Sequence, residues 1–138
     1  MDAPKKPDVI VSFGNDFAGP GMGTTALHNA VGLHRRNMLS KVLCGSYRPG
    51  AIPARMIRSI GLADRGFRKL ASLDTSNWLW YFQAIWFDLW ASHHINKADL
   101  LHVWCGYGSR SLERAKKGGM LTVSVLVSTH PRYQHRLL

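Results

Sequence analysis

The sequence predicts a single α/β domain of the Rossmann-like, doubly wound kind, built on a parallel sheet. Three observations predict it. Short β-rich runs alternate with helical patterns along the whole chain. The first two runs are joined by a Gly-rich loop and a helix, a connection that forces parallel pairing. The chain has 138 residues, 46% of them hydrophobic, with no internal repeat, low-complexity tract or linker, which is one domain's worth of core.

"DVIVSF" (residues 8–13) reads as the first strand, followed by the polar, Gly-rich stretch "GNDFAGPGMGTT". From Thr24 or Thr25, the apolar positions Ala26, Leu27, Ala30, Val31 and Leu33 predict a helix with a threonine cap, ending near Asn37. "SKVLCGSY" (40–47) is the second strand. Residues 48–53, with Pro49, Gly50 and Pro53, form a loop. A basic helix is expected within 55–73, although Gly61 and Gly66 count against it. "DTSN" (74–77) is a helix-start signal for a long helix to about His94. "ADLLHVW" (98–104) is a buried-type strand and "CGYGS" the loop after it. A helix runs over 109–117, closed by Gly118 and Gly119 as a C-terminal cap, and "MLTVSVLV" (120–127) is the last strand.

Charge narrows the partners. Eighteen Lys+Arg face eight Asp+Glu, a formal net charge of +10. That favours an anionic partner: nucleic acid, an acidic membrane surface or a phosphorylated substrate. Arg35, Arg36, Lys41, Arg48, Arg55, Arg58, Arg65, Arg68 and Lys69 share residues 18–72 with a single acid, Asp64. If 55–73 is helical, Arg58, Arg65 and Lys69 fall on one face. No helix-turn-helix, zinc-finger or RNA-recognition signature accompanies the charge, which argues against nucleic acid. Two cysteines, Cys44 and Cys105, on separate strands make no disulfide framework and fit a reducing, cytoplasmic setting. The N-terminus has no apolar segment after its lysines, hence no signal peptide. The most apolar run, 78–91, carries Gln83 and Asp88 and is too short to span a bilayer comfortably.

That run belongs to the oddest segment, "NWLWYFQAIWFDLWASHH". On a helical wheel Asn77, Tyr81, Asp88 and Ser92 form a narrow polar arc, and the rest is apolar. This is wider than the stripe of roughly 100° a helix needs to cover a sheet. The leading expectation is a helix sandwiched between sheet and neighbouring helix. Contact with a membrane interface, or with a further domain, is the alternative.

Nucleotide fingerprints were tested residue by residue. "GMGTTA" (21–26) has the G-x-G-x-x-A form, but seven residues separate Gly21 from the end of the first strand, and the second strand lacks a closing acid. No lysine precedes Thr24, so the phosphate-loop form fails too. What survives is physical: glycines that permit close backbone approach, and N–H groups at a helix start. Metal sites are set aside, since neither His102 with Cys105 nor His93 with His94 offers several ligands on one face. In "VSTHPRYQ" Pro131 suits a first helical position, placing His130 at the cap with Arg132 beside it. A histidine and a cation there suit a phosphorylated or hydroxyl-rich ligand. By these features alone, a solvent-facing histidine fits as well.

The order of these pieces resembles the N-terminal, acceptor-side domain of family 4 glycosyltransferases of the GT-B fold. Three stretches carry the resemblance: "GPGMGTTALHNAVGLHRRNMLSKVLC", "ADLLHVWCGYGSRSLERAKKGGMLTVSVLVSTHP" and "STHPRYQHRLL", the last similar to an S-x-H-x-x-x-Q segment of one bacterial subset. Val125, Leu126 and Val127 stand where that subset would have a charged residue and a glycine. The resemblance implies that Gly21, Met22 and Gly23 lie near donor phosphates and acceptor. It implies that Gly106 and Tyr107 contribute to the same cleft, and that His130 lines it as the catalytic-site histidine. It also implies a retaining, metal-independent transfer with a nucleotide-sugar as co-substrate and no other cofactor, cytoplasmic or peripheral on an inner membrane surface. In that family a second domain holds the donor through a Glu-x7-Glu pattern. Glu113 is the chain's sole glutamate, so the expectation is half an enzyme, inactive alone. The alternative is a non-catalytic binding subunit that pairs with a separate donor-binding chain.

Overall fold

The computed structural model describes residues 5–104 and 108–125. Five strands, β1 (Val9–Phe17), β2 (Leu39–Tyr47), β3 (Ile57–Ser59), β4 (Leu100–Trp104) and β5 (Leu121–Val125), form one sheet in the order β3-β2-β1-β4-β5. Every pairing is parallel. The helices are α1 (Met22–Arg35), α2 (Leu62–Ala71), α3 (Trp78–His94) and α4 (Ser109–Lys117). This is the α/β, Rossmann-like arrangement expected from the sequence.

The central strands are apolar on both sides because both sides are covered. Val9, Val11 and Phe13 of β1, with Val42 and Cys44 of β2 and Trp104 of β4, pack with Ala26 and Ala30 of α1. The alternate residues Ile10, Leu43, Leu101 and Val103 pack on the other face with Phe87 and Ala91 of α3 and Ala115 of α4. Cover on the α1 face is incomplete. The register sets Leu121 and Val123 of β5 beside Leu100 and His102, and these two are 71% and 42% exposed.

Two helix ends are closed by the left-handed device that glycine or asparagine favours. After α4, Gly119 (φ +77°) lets its own N–H reach the Lys116 carbonyl and the Met120 N–H reach that of Ala115, both at 3.0 Å. After α1, Asn37 (φ +55°) does the same, with Asn37 N–H to His34 and Met38 N–H to Leu33, both at 2.9 Å.

Four expectations need correction. β1 does not stop at Phe13: after a register irregularity it rejoins β2 at Asp16 and Phe17, so part of the expected loop is strand. α1 starts at Met22, not Thr24 or Thr25, and no threonine caps it; Thr24 Oγ1 donates instead to the Gly19 carbonyl at 2.9 Å. The basic segment holds a 3₁₀ turn (Ala54–Met56) and strand β3 before α2, so Arg58 stands in a strand and shares no helical face with Arg65 and Lys69. The fourth concerns α3. It lies on the sheet between α2 and α4, yet Gln83, Asp88 and Ser92 are buried while Trp78, Tyr81, Phe82, Ile85, Trp86 and Leu89 are exposed. Polar groups face inward because neighbouring elements use them. Asp88 Oδ2 accepts from the Arg110 N–H (2.7 Å), and its Oδ1 accepts from the Ser111 N–H (3.0 Å) and hydroxyl (2.6 Å), so it caps α4.

Candidate functional site

The chain steps from β1 to β2 to β3 in one direction and then returns to place β4 on the other side of β1. The order thus reverses at β1, and in open parallel sheets ligands are usually held near such a reversal, at the carboxyl ends of the strands. The stretch after β1 contains Gly21, Met22 and Gly23. Gly21 precedes α1 with φ +72° and nothing within 4 Å of a Cβ placed there, so glycine serves its backbone conformation. Gly23 is required for space: a Cβ would sit on the Asp16 carbonyl oxygen. Gly19 is similar, its Cβ falling 2.6 Å from Asp16 Oδ2. The loop therefore folds tightly over Asp16.

Asp16 anchors a polar chain running across the strand ends. Ser46 Oγ, from the end of β2, donates to Asp16 Oδ1 at 3.1 Å, and Arg48 Nε pairs with Oδ2 at 3.4 Å. Arg68 Nη2 of α2 donates to Ser46 Oγ at 2.9 Å, and Arg68 Nε pairs with Asp64 at 3.1 Å. Asp64 is fully buried and accepts from Gln83 Nε2 at 2.8 Å, while the same amide nitrogen donates to the Gly14 carbonyl at 3.0 Å. One network thus ties β1, β2, α2 and α3 beneath the loop. Above it lies a cavity of about 360 Å³, lined by Asn15, Asp16, Met22, Gly23, Arg48 and Arg68 among others. Arg48, 61% exposed in its side chain, presents a guanidinium at the rim, beside the Asp16 carboxylate at 24%. A guanidinium beside a carboxylate, with backbone close by, can hold a ligand that combines hydroxyls with negative charge.

A larger cavity of about 630 Å³ opens at the opposite edge of the sheet, among Asp8, Asp99, Arg114 and Lys117. It lies where β1 and β4 begin, which is not where a parallel sheet assembles a site. Asp99 there accepts from the Asp8 N–H at 2.7 Å, a bond that joins the two strand starts.

Of the site residues read from the sequence, Met22 and Gly23 line the cavity of about 360 Å³ and Gly21 directly precedes them at the start of α1. Gly106, Tyr107, His130 and Arg132 lie outside the described residues. Asp16 and Ser46 are not among the site residues read from the sequence, and Arg48 and Arg68 entered only as members of the basic cluster. Their signal was position: Asp16 is the only acid in the Gly-rich stretch, and Arg48 directly follows the second strand. Cys44 is buried, and burial first, then the charges of Asp64 and Asp16, pushes its thiol far above the usual range, so it is no nucleophile. Among the described residues, no three His, Cys, Asp or Glu side chains gather as a metal site would need, and no helix is long and apolar enough to cross a membrane. In comparisons with known proteins, the sequence matches no family model, no curated protein and no solved structure.

Proposed function

We propose that this chain is the acceptor-side half of a glycosyltransferase that moves a sugar from a nucleotide-sugar to a hydroxyl acceptor, with the donor-binding half carried by another domain or chain. The observation that carries the reading is the Gly21–Gly23 turn folded over Asp16 at the carboxyl end of β1, with Arg48 and Arg68 lining the same cavity. In this reading the turn admits the sugar and diphosphate close to the backbone. Arg48 offsets the diphosphate charge, and Asp16 accepts from sugar hydroxyls. His130 follows β5 in sequence and serves the reacting end of the cleft. The net charge of +10 fits work beside an anionic membrane surface that carries the acceptor.

Saturation-transfer NMR against a panel of nucleotide-sugars tests this with the chain alone. Sugar protons should receive more saturation than base protons, because the base belongs to the other half. Arg48→Ala, at an exposed side chain, should weaken binding about tenfold, the effect of losing one charge-assisted contact. In the complete two-part protein, His130→Ala should depress kcat strongly. Absence of any nucleotide-sugar signal from the chain and from the complete protein would overturn the reading.

A further inference from the structure

The outward face of α3 is unlike any other surface of the described residues. Trp78, Tyr81, Phe82, Ile85, Trp86 and Leu89 are between 38% and 62% exposed and recur at i, i+3, i+4, i+7, i+8 and i+11, a single helical stripe. The eleven residue-to-residue steps from Trp78 to Leu89 make it about 16 Å long. At its amino end Trp78, Tyr81 and Phe82 form one aromatic cluster, with ring centroids 6.0 to 6.3 Å apart. Trp86 leans on Phe67 of α2 at 5.9 Å. Leu62 and Leu70 of α2, 81% and 61% exposed, extend the apolar surface sideways.

Charge identifies the occupant. On α2, α3 and α4 the acids are Asp64, Asp88 and Glu113, and each is engaged internally: Asp64 with Arg68, Asp88 with the start of α4, and Glu113 with Lys117 at 2.8 Å. Beside α3, Arg65 and Lys69 of α2 and Arg110, Arg114 and Lys116 of α4 are exposed and outnumber these acids, although Arg65 also donates to the Tyr47 carbonyl at 3.0 Å, Arg110 lies near Glu113, and Asp74 stands on the turn before α3. A second copy of the chain would bring the same cations against them, and +10 against +10. A surface that is apolar below and anionic at the same depth as these cations satisfies both features at once. Trp and Tyr are also the side chains that settle where apolar and wet layers meet.

We infer that α3 is a docking helix for an anionic lipid surface, its aromatic stripe entering the headgroup boundary while the cations of α2 and α4 meet lipid phosphates. The inference stands on this surface and not on the sugar-transfer reading. Vesicle binding is scored without any turnover, so either can fail alone.

The test is flotation of the full chain with phosphatidylcholine vesicles, with and without phosphatidylglycerol. The chain should float only with the anionic vesicles, and tryptophan emission should shift to the blue. Trp78→Ser with Phe82→Ser should weaken binding at least about tenfold while leaving the thermal midpoint in place, since both side chains are more than half exposed. Lys69→Gln with Arg114→Gln should weaken it on anionic vesicles, and added salt should do the same. Failure to float with anionic vesicles would overturn the inference. So would a dimer in sedimentation that the Trp78 and Phe82 changes dissolve, or binding to duplex DNA that survives those two changes.

Discussion

Asp64 has no access to water, and the protein makes room for it by leaving out one side chain. Its Oδ2 lies 2.7 Å from where a Cβ at Gly45 would stand. Gly45→Ala should therefore push the carboxylate away from Arg68 and Gln83, costing about 1–3 kcal/mol, with a lower urea midpoint and an unchanged slope. His102 shows a different residue-scale effect. It is half-buried on β4, with its ring centroid 5.7 Å from that of Trp104, and burial lowers its pKa from the ordinary 6.5. The unfolded chain then binds the proton more readily than the folded one. Stability is unaffected above pH 6.5 and falls as pH drops below it, until the folded-state pKa is passed. His102→Gln should remove that part of the acid-side slope in a series of thermal melts. Both side chains were visible in the sequence, but their partners were not, since Gly45 and Asp64 meet only after β2 and α2 pack together.

At the scale of elements, regular pieces were legible where pattern and packing agree. α4 lies within the expected bounds because a polar, strongly amphipathic segment ends in two glycines. β2 and β4 are buried on both faces and read as apolar runs. β3 was missed, since three residues carry too little periodicity to separate a strand from a helical start. In α3 the wide apolar arc is legible, but the expected burial of that arc between sheet and neighbouring helix fails on the outward side, where Trp78, Tyr81, Phe82, Ile85, Trp86 and Leu89 are exposed. A wheel shows which residues share a face and says nothing about which face meets the sheet. There the inward side is settled by polar obligations: Gln83 to Asp64 and Gly14, and Asp88 to the first turn of α4. The helix-start signal "DTSN" stands where it was read, and the structure shows which of its residues acts. Asp74 serves it, accepting from the Leu79 N–H at 2.9 Å and the Ser76 N–H at 3.0 Å, which holds its carboxyl below the usual range. Asp88→Ala should leave the first N–H groups of α4 and the Ser111 hydroxyl unpaired. A loss of about 1–3 kcal/mol in chemical denaturation is expected, larger than for an exposed cap. Asp88→Asn should recover part of it.

Over the whole molecule the two proposed surfaces lie apart. The loop and cation cavity lies at the carboxyl edge of the sheet, while the aromatic stripe lies on the outside of the helical layer, so a ligand and a lipid surface would not compete for the same groups. The central place of β1 has a consequence in time. It is made before both of its neighbours, and it pairs on one side with β2, from Val9 to Leu39, but on the other with β4, from Val9 to Leu100. The Asp8 N–H bond to Asp99, spanning 91 positions, is part of that second seam. Once β2 has formed, a nascent chain therefore carries its middle strand half-paired while α2 and α3 are still being made. Closing the longer loop costs more chain entropy than pairing β1 with β2, so this second seam is expected to form after the first. Until β4 leaves the ribosome, the open side of β1 is a ready template for another strand, and a chaperone would have its reason to bind there.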